Sequence, residues 1–289
     1  MILRSLHTTT YTYSEPVSVS HTEVHLTPRA TARQTVIEHD LVIHPSPDFL
    51  TEREDYFGNQ VARFSIHEPH QALRIIATAV VDLQIVEPPY PGLTPPWEQV
   101  RAEVRRHDAA DSFAAAEFVF DSPRVIVGAP FAAYAQPSFP PARPVLEGAI
   151  DLCHRIRAEF NYDPRATTVR TPVDEVLRER RGVCQDFAHL MIASLRSIGL
   201  PARYVSGYIR NHAASVGAQA SHAWVSVFCP GFGWIDFDPT NDVMPAGDHV
   251  TIGWGRDYSD LPPVNGVTLG GGEQGISVDV AISSLPAQA

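Results

Sequence analysis

The chain is predicted to be an α+β protein with a β-rich N-terminal region, a helical middle and a closing set of antiparallel strands. Three observations predict it. The first third is rich in β-branched and aromatic residues with partial alternation. Val145, Ala149, Leu152, Ile156 and Phe160 fall at helical spacing, and so do Phe187, Leu190, Met191, Leu195 and Ile198. Residues 202–238 then return to short strand-like runs parted by Gly and Pro, and helices followed by a run of strands mark an α+β architecture.

Strands are expected at Ile2–Tyr13, Val17–Leu26, Thr35–Ile43 and Leu73–Val86, together a β-sandwich-like domain over residues 1–86. Gly58-Asn59 stands between two apolar runs and signals a hairpin. Glu87-Pro88-Pro89-Tyr90-Pro91-Gly92 has the composition of a linker. Thr94 reads as an N-cap with Pro95 at the first helical position, opening a helix over Trp97–His107, and a second small helix is expected over Asp111–Phe118. The Pro-rich stretch 129–144 resists placement and is expected to wrap over the core, ending a connecting segment, 87–144.

The third segment, 145–289, opens with the helix begun at Val145. Thr171-Pro172-Val173-Asp174 is a capping-box variant opening a short helix ended by Gly182. The next helix starts at Cys184 and stops at Gly199 and Pro201. Strands follow at 202–209, 222–228 and 234–238, with Cys229-Pro230-Gly231-Phe232-Gly233 as a hairpin turn. The tail adds a further strand to these, Ile276–Ser283, after the Gly-rich loop 270–272. No internal repeat is visible, and neither Gly-rich segment has the strand-to-helix setting that cradles phosphate.

Composition narrows the class. Hydrophobic content of 44% with 19% charged residues is that of an ordinary globular protein. A net charge of −11 argues against nucleic acid or an anionic membrane as partner, since both need a basic patch. Three cysteines, Cys153, Cys184 and Cys229, do not make a disulfide framework, and no C-x-x-C or paired-His spacing suggests a metal site. Residues 1–15 lack an apolar signal-peptide core and no apolar run is long enough for a membrane span, so a cytoplasmic address is the default expectation.

The chemistry concentrates in Arg181-Gly182-Val183-Cys184-Gln185-Asp186-Phe187-Ala188-His189. A thiol in the first turn of a helix sits at the positive end of the helix dipole, where the thiolate is stabilised. A buried structural cysteine is the bland alternative, because a lone Cys needs a His elsewhere before it counts as catalytic. His222 supplies that partner at the start of a strand, and antiparallel pairing brings it close to Asp238 at the far end of the next. A cysteine needs a base for its proton, and the imidazole needs a carboxylate to fix its tautomer.

Four separated stretches then resemble a known family. Gly182-Val183-Cys184-Gln185-Asp186-Phe187-Ala188, Gly199-Leu200-Pro201-Ala202-Arg203-Tyr204-Val205-Ser206-Gly207-Tyr208, His222-Ala223-Trp224 and Trp234-Ile235-Asp236-Phe237-Asp238-Pro239-Thr240 look like the core of the transglutaminase-like superfamily. Tyr11–Val17 and Asp55–Asn59 resemble the β-rich N-terminal region of its bacterial two-domain members. The resemblance implies a papain-like core with the nucleophile helix packed on an antiparallel sheet. It implies Cys184 as nucleophile, His222 as base and Asp238 as orienting acid. It also implies a side-chain oxyanion donor located before the nucleophile, for which Tyr162 is the candidate beside the Cys184 backbone N–H. The acidic cluster of the calcium-regulated animal transglutaminases is not seen, so no calcium dependence and no cofactor is expected.

Other residues compete for roles. Asp236 shares strand parity with Asp238 and could be the third member, although the Asp-Pro-Thr context favours Asp238. Asp186 is read as a helix cap pointing away from the thiol, and His189 as a packing histidine. Cys153 and Cys229 are read as structural and His212 as solvated. Trp224, on the same strand face as His222, is either an acyl-pocket wall or a core residue. Three functions remain: hydrolysis of a peptide, isopeptide or other amide; acyl transfer to an amine; and a non-enzymatic binding module, which has no need of Cys, His and Asp together. Hydrolysis is favoured because transfer requires a site that excludes water. The substrate is expected to be a peptide or protein amide, and the sequence does not reveal the oligomeric state.

Overall fold

The computed structural model describes residues 1–107, 109–210, 216 and 220–286; His212 lies outside the described residues. The chain opens with five strands: β1 (Ile2–Val24), β2 (Gln34–His44), β3 (Phe49–Glu54), β4 (Gln60–Ile66) and β5 (His70–Leu83). The two strands expected on either side of Pro16 are one, because β1 runs through it with a register skip between Thr12 and Val17. Proline has no N–H for the ladder, so the pairing breaks there while the chain stays extended. The first half of β1 pairs with β5, and its second half, Ser20–Val24, pairs with β4. The sheet curls over its own core of Val17, Phe64, Ile66, Leu73 and Ile75. The hairpin expected at Gly58-Asn59 joins β3 to β4, with Gly58 at φ +75.

Helices α1 (Trp97–Arg106), α2 (Ala110–Ala116), α3 (Ala129–Ala135) and α4 (Val145–Glu159) follow. Thr94 does not cap α1: its Oγ1 accepts from the Leu146 backbone N–H at 3.3 Å, so it caps α4 instead. The Pro-rich stretch contains α3, where Pro130 suits the open first turn, and it buries Phe131 and Phe139. Phe139 lies over Gly148 of α4, where a Cβ would come within 2.4 Å of the ring.

Two short strands, β6 (Asn161–Tyr162) and β7 (Arg181–Gly182), flank α5 (Val173–Glu179) and pair in parallel. The expected capping box of α5 is not formed: Pro172 is the N-cap, no side chain bonds the helix end, and Arg180 in the left-handed region ends the helix. Helix α6 (Cys184–Ser197) is nearly all buried. It packs on β8 (Ala202–Ile209) and β9 (His222–Cys229), which with β10 (Gly233–Phe237) and β11 (His249–Gly255) form an antiparallel sheet in the order β10-β9-β8-β11. Strand β9 is buried along its whole length rather than half-buried, because α6 covers one face and the β-rich region approaches the other. On that second face Tyr208, Val250 and Ile252 pack with Leu3, Val81 and Leu83.

The tail departs from expectation. Strands β12 (Val264–Gly270) and β13 (Gln274–Ser284) do not extend the sheet under α6; both pair with β1, with Val24 opposite Val264 and Leu3 opposite Ser284. The expected unit 145–289 therefore ends in strands that complete the first sheet. No helix among the described residues is long and apolar enough to cross a membrane.

Candidate active site

Cys184 is the first residue of α6, so its backbone N–H lacks an intrahelical acceptor. The turn before it is tight. A Cβ on Gly182 would stand 2.7 Å from Asp186 Oδ2, an oxygen that accepts from the Val183 N–H at 2.8 Å and from Thr167 Oγ1 at 2.6 Å. Burial pushes the Asp186 carboxyl up and these two hydrogen bonds pull it partly back. Asp186 thus braces the helix start, as its position in the first turn predicts.

His222 begins β9 and pairs in register with Gly207 of β8. The β9–β10 register, Val225 opposite Phe237, carries Asp238 to the end of β9 where His222 stands. Both residues are essentially sealed from solvent, and His222 Nε2 lies 2.8 Å from Asp238 Oδ2. The carboxylate is held at both oxygens. Oδ1 accepts from the Thr240 N–H at 2.9 Å and the Asn241 N–H at 3.2 Å. Oδ2 also accepts from Asn241 Nδ2 at 2.8 Å and from His249 Nε2 at 3.1 Å.

The electrostatics follow from that cage. Burial alone would raise the Asp238 carboxyl, but the His222 charge and the His222 and His249 hydrogen bonds outweigh it and hold it well below the usual carboxylate range. Burial alone would lower His222; the charge and hydrogen bond of Asp238, with the neighbouring Cys184, carry it up to about 10. An ionised carboxylate only accepts, so His222 Nε2 carries a proton and neutral His222 has its lone pair on Nδ1. Nδ1 has no partner in ordinary hydrogen-bond geometry, yet the Cys184 thiol is near enough to help raise the ring. Such loose contacts between base and nucleophile are usual before substrate binds.

The remaining candidates sort by position. Tyr162 pairs with Gly182 in the turn that precedes Cys184, and its ring lies 6.3 Å from Phe187. Burial, then the nearby Cys184, Asp186 and Asp238, push its phenol up to about 12, so it stays a protonated donor. Trp224 is wholly buried, its ring stacked 6.2 Å from His222 and edge-on 5.2 Å from His249. Its place is that of a packing partner behind the imidazole and not of a substrate-facing wall. Asp236 is turned elsewhere: it bonds Ser226 and pairs with Arg33 at 3.1 Å. His189 is a satisfied packing histidine that accepts the Tyr258 N–H at 3.2 Å, and burial lowers it to about 4. Cys153 and Cys229 are buried, and burial raises both thiols.

Two residues were not anticipated. Asn241 sits three positions past Asp238 in an Asp-Pro-Thr-Asn turn, a pattern in which an Asp side chain bonds the backbone ahead, so its involvement was readable. His249 lies on a strand with no clear alternation and had no such signal. His222, Asp238 and His249 offer three ligand atoms within 4.8 Å of one another, a spacing a metal ion could also use. Both ring nitrogens already share one carboxylate oxygen, so an ion would have to displace two N–H donors there.

Comparison with known proteins agrees with this architecture. The profile described as the bacterial transglutaminase-like N-terminal region matches residues 3–82, and that of the transglutaminase-like superfamily matches residues 132–239. An uncharacterised protein of Mycobacterium tuberculosis is 40% identical over 98% of this chain and 92% of its own length. A protein-glutamine gamma-glutamyltransferase of Pseudomonas aeruginosa is 36% identical over 99 residues, covering 30% of this chain and 15% of that protein. A crystal structure of a presumptive cysteine protease from Cytophaga hutchinsonii matches all of this chain and 92% of its own, with a TM-score of 0.78 at 23% identity; it has the same fold.

Proposed function

Since the chain belongs to the transglutaminase-like superfamily, we propose that it is a thiol enzyme that opens an amide bond through a Cys184 thioester and passes the acyl group to water. The observation that carries the reading is the pair of His222 Nε2 and Asp238 Oδ2, 2.8 Å apart, which leaves Nδ1 for the thiol. With His222 raised to about 10, the Cys184 proton already rests on His222 Nδ1 at neutral pH, and in the first half-reaction the Sγ thiolate attacks the carbonyl carbon. The oxyanion meets the Cys184 backbone N–H, with the Tyr162 hydroxyl as the second donor. The C–N bond then breaks and His222 returns its proton to the leaving amine. In the second half-reaction His222 takes a proton from water, hydroxide attacks the thioester, and the acid leaves as the thiol is restored. The substrate class is a peptide or protein amide.

Acyl transfer to an amine is the second reading, favoured by the local similarity to the Pseudomonas glutamyltransferase. Water and amines compete for one acyl group, so adding a primary amine at millimolar concentration separates the two. The expected pattern is free acid as main product, with amine adduct rising weakly and linearly. Saturable adduct formation that outruns acid release overturns hydrolysis in favour of transfer. Cys184→Ala must be silent in either case, and turnover by that variant would remove the thiol mechanism altogether.

A further inference from the structure

Behind the sheet that carries His222, facing the β-rich region, lies a cavity of about 340 Å³ whose walls include Arg203, Trp234, Trp254, Asp236 and Arg33. It lies on the face of the sheet turned away from α6, and its wall reaches His249, which bonds Asp238, but neither Cys184 nor His222 lines it. The Arg203 guanidinium sits between two indoles, its carbon 4.3 Å from the Trp234 ring centre and 3.8 Å from that of Trp254. Arg203 Nε is buried with no hydrogen-bond partner. The nearby acid is already engaged, since Asp236 bonds Ser226 and pairs with Arg33 at 3.1 Å. Asp236 is one carboxylate facing two arginines, Arg33 and Arg203, so their charges leave one positive charge in excess.

Burial lowers Arg203 to about 9 against the opposing pull of Asp236, which still leaves it charged at neutral pH. A desolvated cation without an acceptor is costly, and an anion beside it relieves that cost. The indoles cover the guanidinium, whose N–H groups remain the part able to pair with a carboxylate. One uncompensated positive charge suits a monoanion better than a dianion. Leu83, Val205, Phe232 and Pro245 give the wall an apolar part beside polar Gln34, Ser226 and His249, and the volume lies in the range of small-molecule sites.

We propose that this cavity binds a small monocarboxylate, its carboxylate seated on the edge of Arg203 and its apolar body against the aromatic wall.

Equilibrium dialysis of the full-length protein with radiolabelled benzoate tests this, with benzamide and inorganic phosphate as competitors. One saturable site is expected, displaced by unlabelled benzoate and at least tenfold less effectively by neutral benzamide or by phosphate. Arg203→Lys keeps the charge but loses the paired N–H edge and should weaken binding at least tenfold; Arg203→Met should abolish it. The circular dichroism spectrum and thermal midpoint of Arg203→Met, measured beside its binding, separate lost binding from lost fold. Absence of saturable benzoate binding, equal competition by benzamide, preferential binding of phosphate, or unchanged binding by folded Arg203→Met would each overturn the proposal.

Discussion

Replacing Asp238 by Asn removes one charge from the most heavily bonded carboxylate in the site while keeping its shape. Asp238 accepts from His222, His249 and Asn241 Nδ2 at one oxygen and from two backbone N–H groups at the other. An amide cannot serve both sides, because whichever way it turns, its NH₂ faces donors. His222 must then give up its Nε2 proton to accept from the amide, which places the remaining proton on Nδ1, where the base is needed. Its preference for the charged form also goes. The Asp238 charge and hydrogen bond are the main terms that raise His222, and burial alone would carry it below its ordinary 6.5. Moving His222 between 6.5 and about 10 is worth roughly 5 kcal/mol of preference for the imidazolium. A loss of that size corresponds to a fall of about 10³ to 10⁴ in rate. The assay is turnover of an amide substrate together with NMR titration of the His222 ring in Cys184→Ala and Cys184→Ala/Asp238→Asn. Asp236→Asn, which disturbs the Arg33 pair and not the His222 contact, should cost less than about tenfold by comparison with exposed or half-exposed ion pairs. Activity of Asp238→Asn within tenfold of the parent, or a His222 ring still titrating near 10, would refute the reasoning, as would the reverse ranking of the two aspartates.

Iodoacetamide at neutral pH should alkylate Cys184 well before Cys153 or Cys229, whose thiols are buried and raised, and peptide mapping showing equal labelling would contradict this. Gly207→Ala should destabilise by about 3 kcal/mol or more, since its Cβ would fall 2.0 Å from the Val250 carbonyl oxygen and 2.5 Å from the Trp224 ring, and backbone gives way least; a denaturant midpoint close to the parent's would be inconsistent with that packing. Stability should peak near pH 6.5. His7 and His189, lowered to about 4 by burial, stabilise fully above 6.5 and lose this as pH falls toward 4, while His222, raised to about 10, stabilises fully below 6.5 and loses this as pH climbs through 10. Thermal midpoints across pH check the shape, and His222→Gln should flatten the alkaline limb.

The candidate site was legible where local pattern and chemistry coincide. Gly182, the apolar stripe from Phe187 to Ile198 and the Gly199 stop place Cys184 at a helix start without any tertiary information. The hairpin turn after Cys229 brings Asp238 to His222 by register alone. His249 was not legible, because it reaches Asp238 through a strand, β11, that contains Gly253, ends at Gly255 and carries a register skip against β8. Thr94 was misassigned for a related reason: it lies a few residues before one helix but bonds the first turn of another more than fifty positions on. Trp224 shares a strand face with His222 as read, but which face α6 covers is a tertiary fact. The tail strands alternate too weakly to declare a partner, and their pairing with β1 depends on register across most of the chain.

That last pairing has a consequence for how the molecule is made. Strand β1 is made long before β13, which fills one edge of its leading half, with Leu3 opposite Ser284. The helices and the sheet under α6 are complete in sequence by Gly255, so they can fold while β1 still waits for one neighbour. During synthesis the nascent chain therefore exposes an open edge on a 23-residue strand, the kind of template that pairs with other chains. Sealing it requires contacts between the most distant parts of the sequence, which slows closure. The step most exposed to misassembly is therefore the docking of β13, and it lies in the β-rich region, remote in sequence from Cys184.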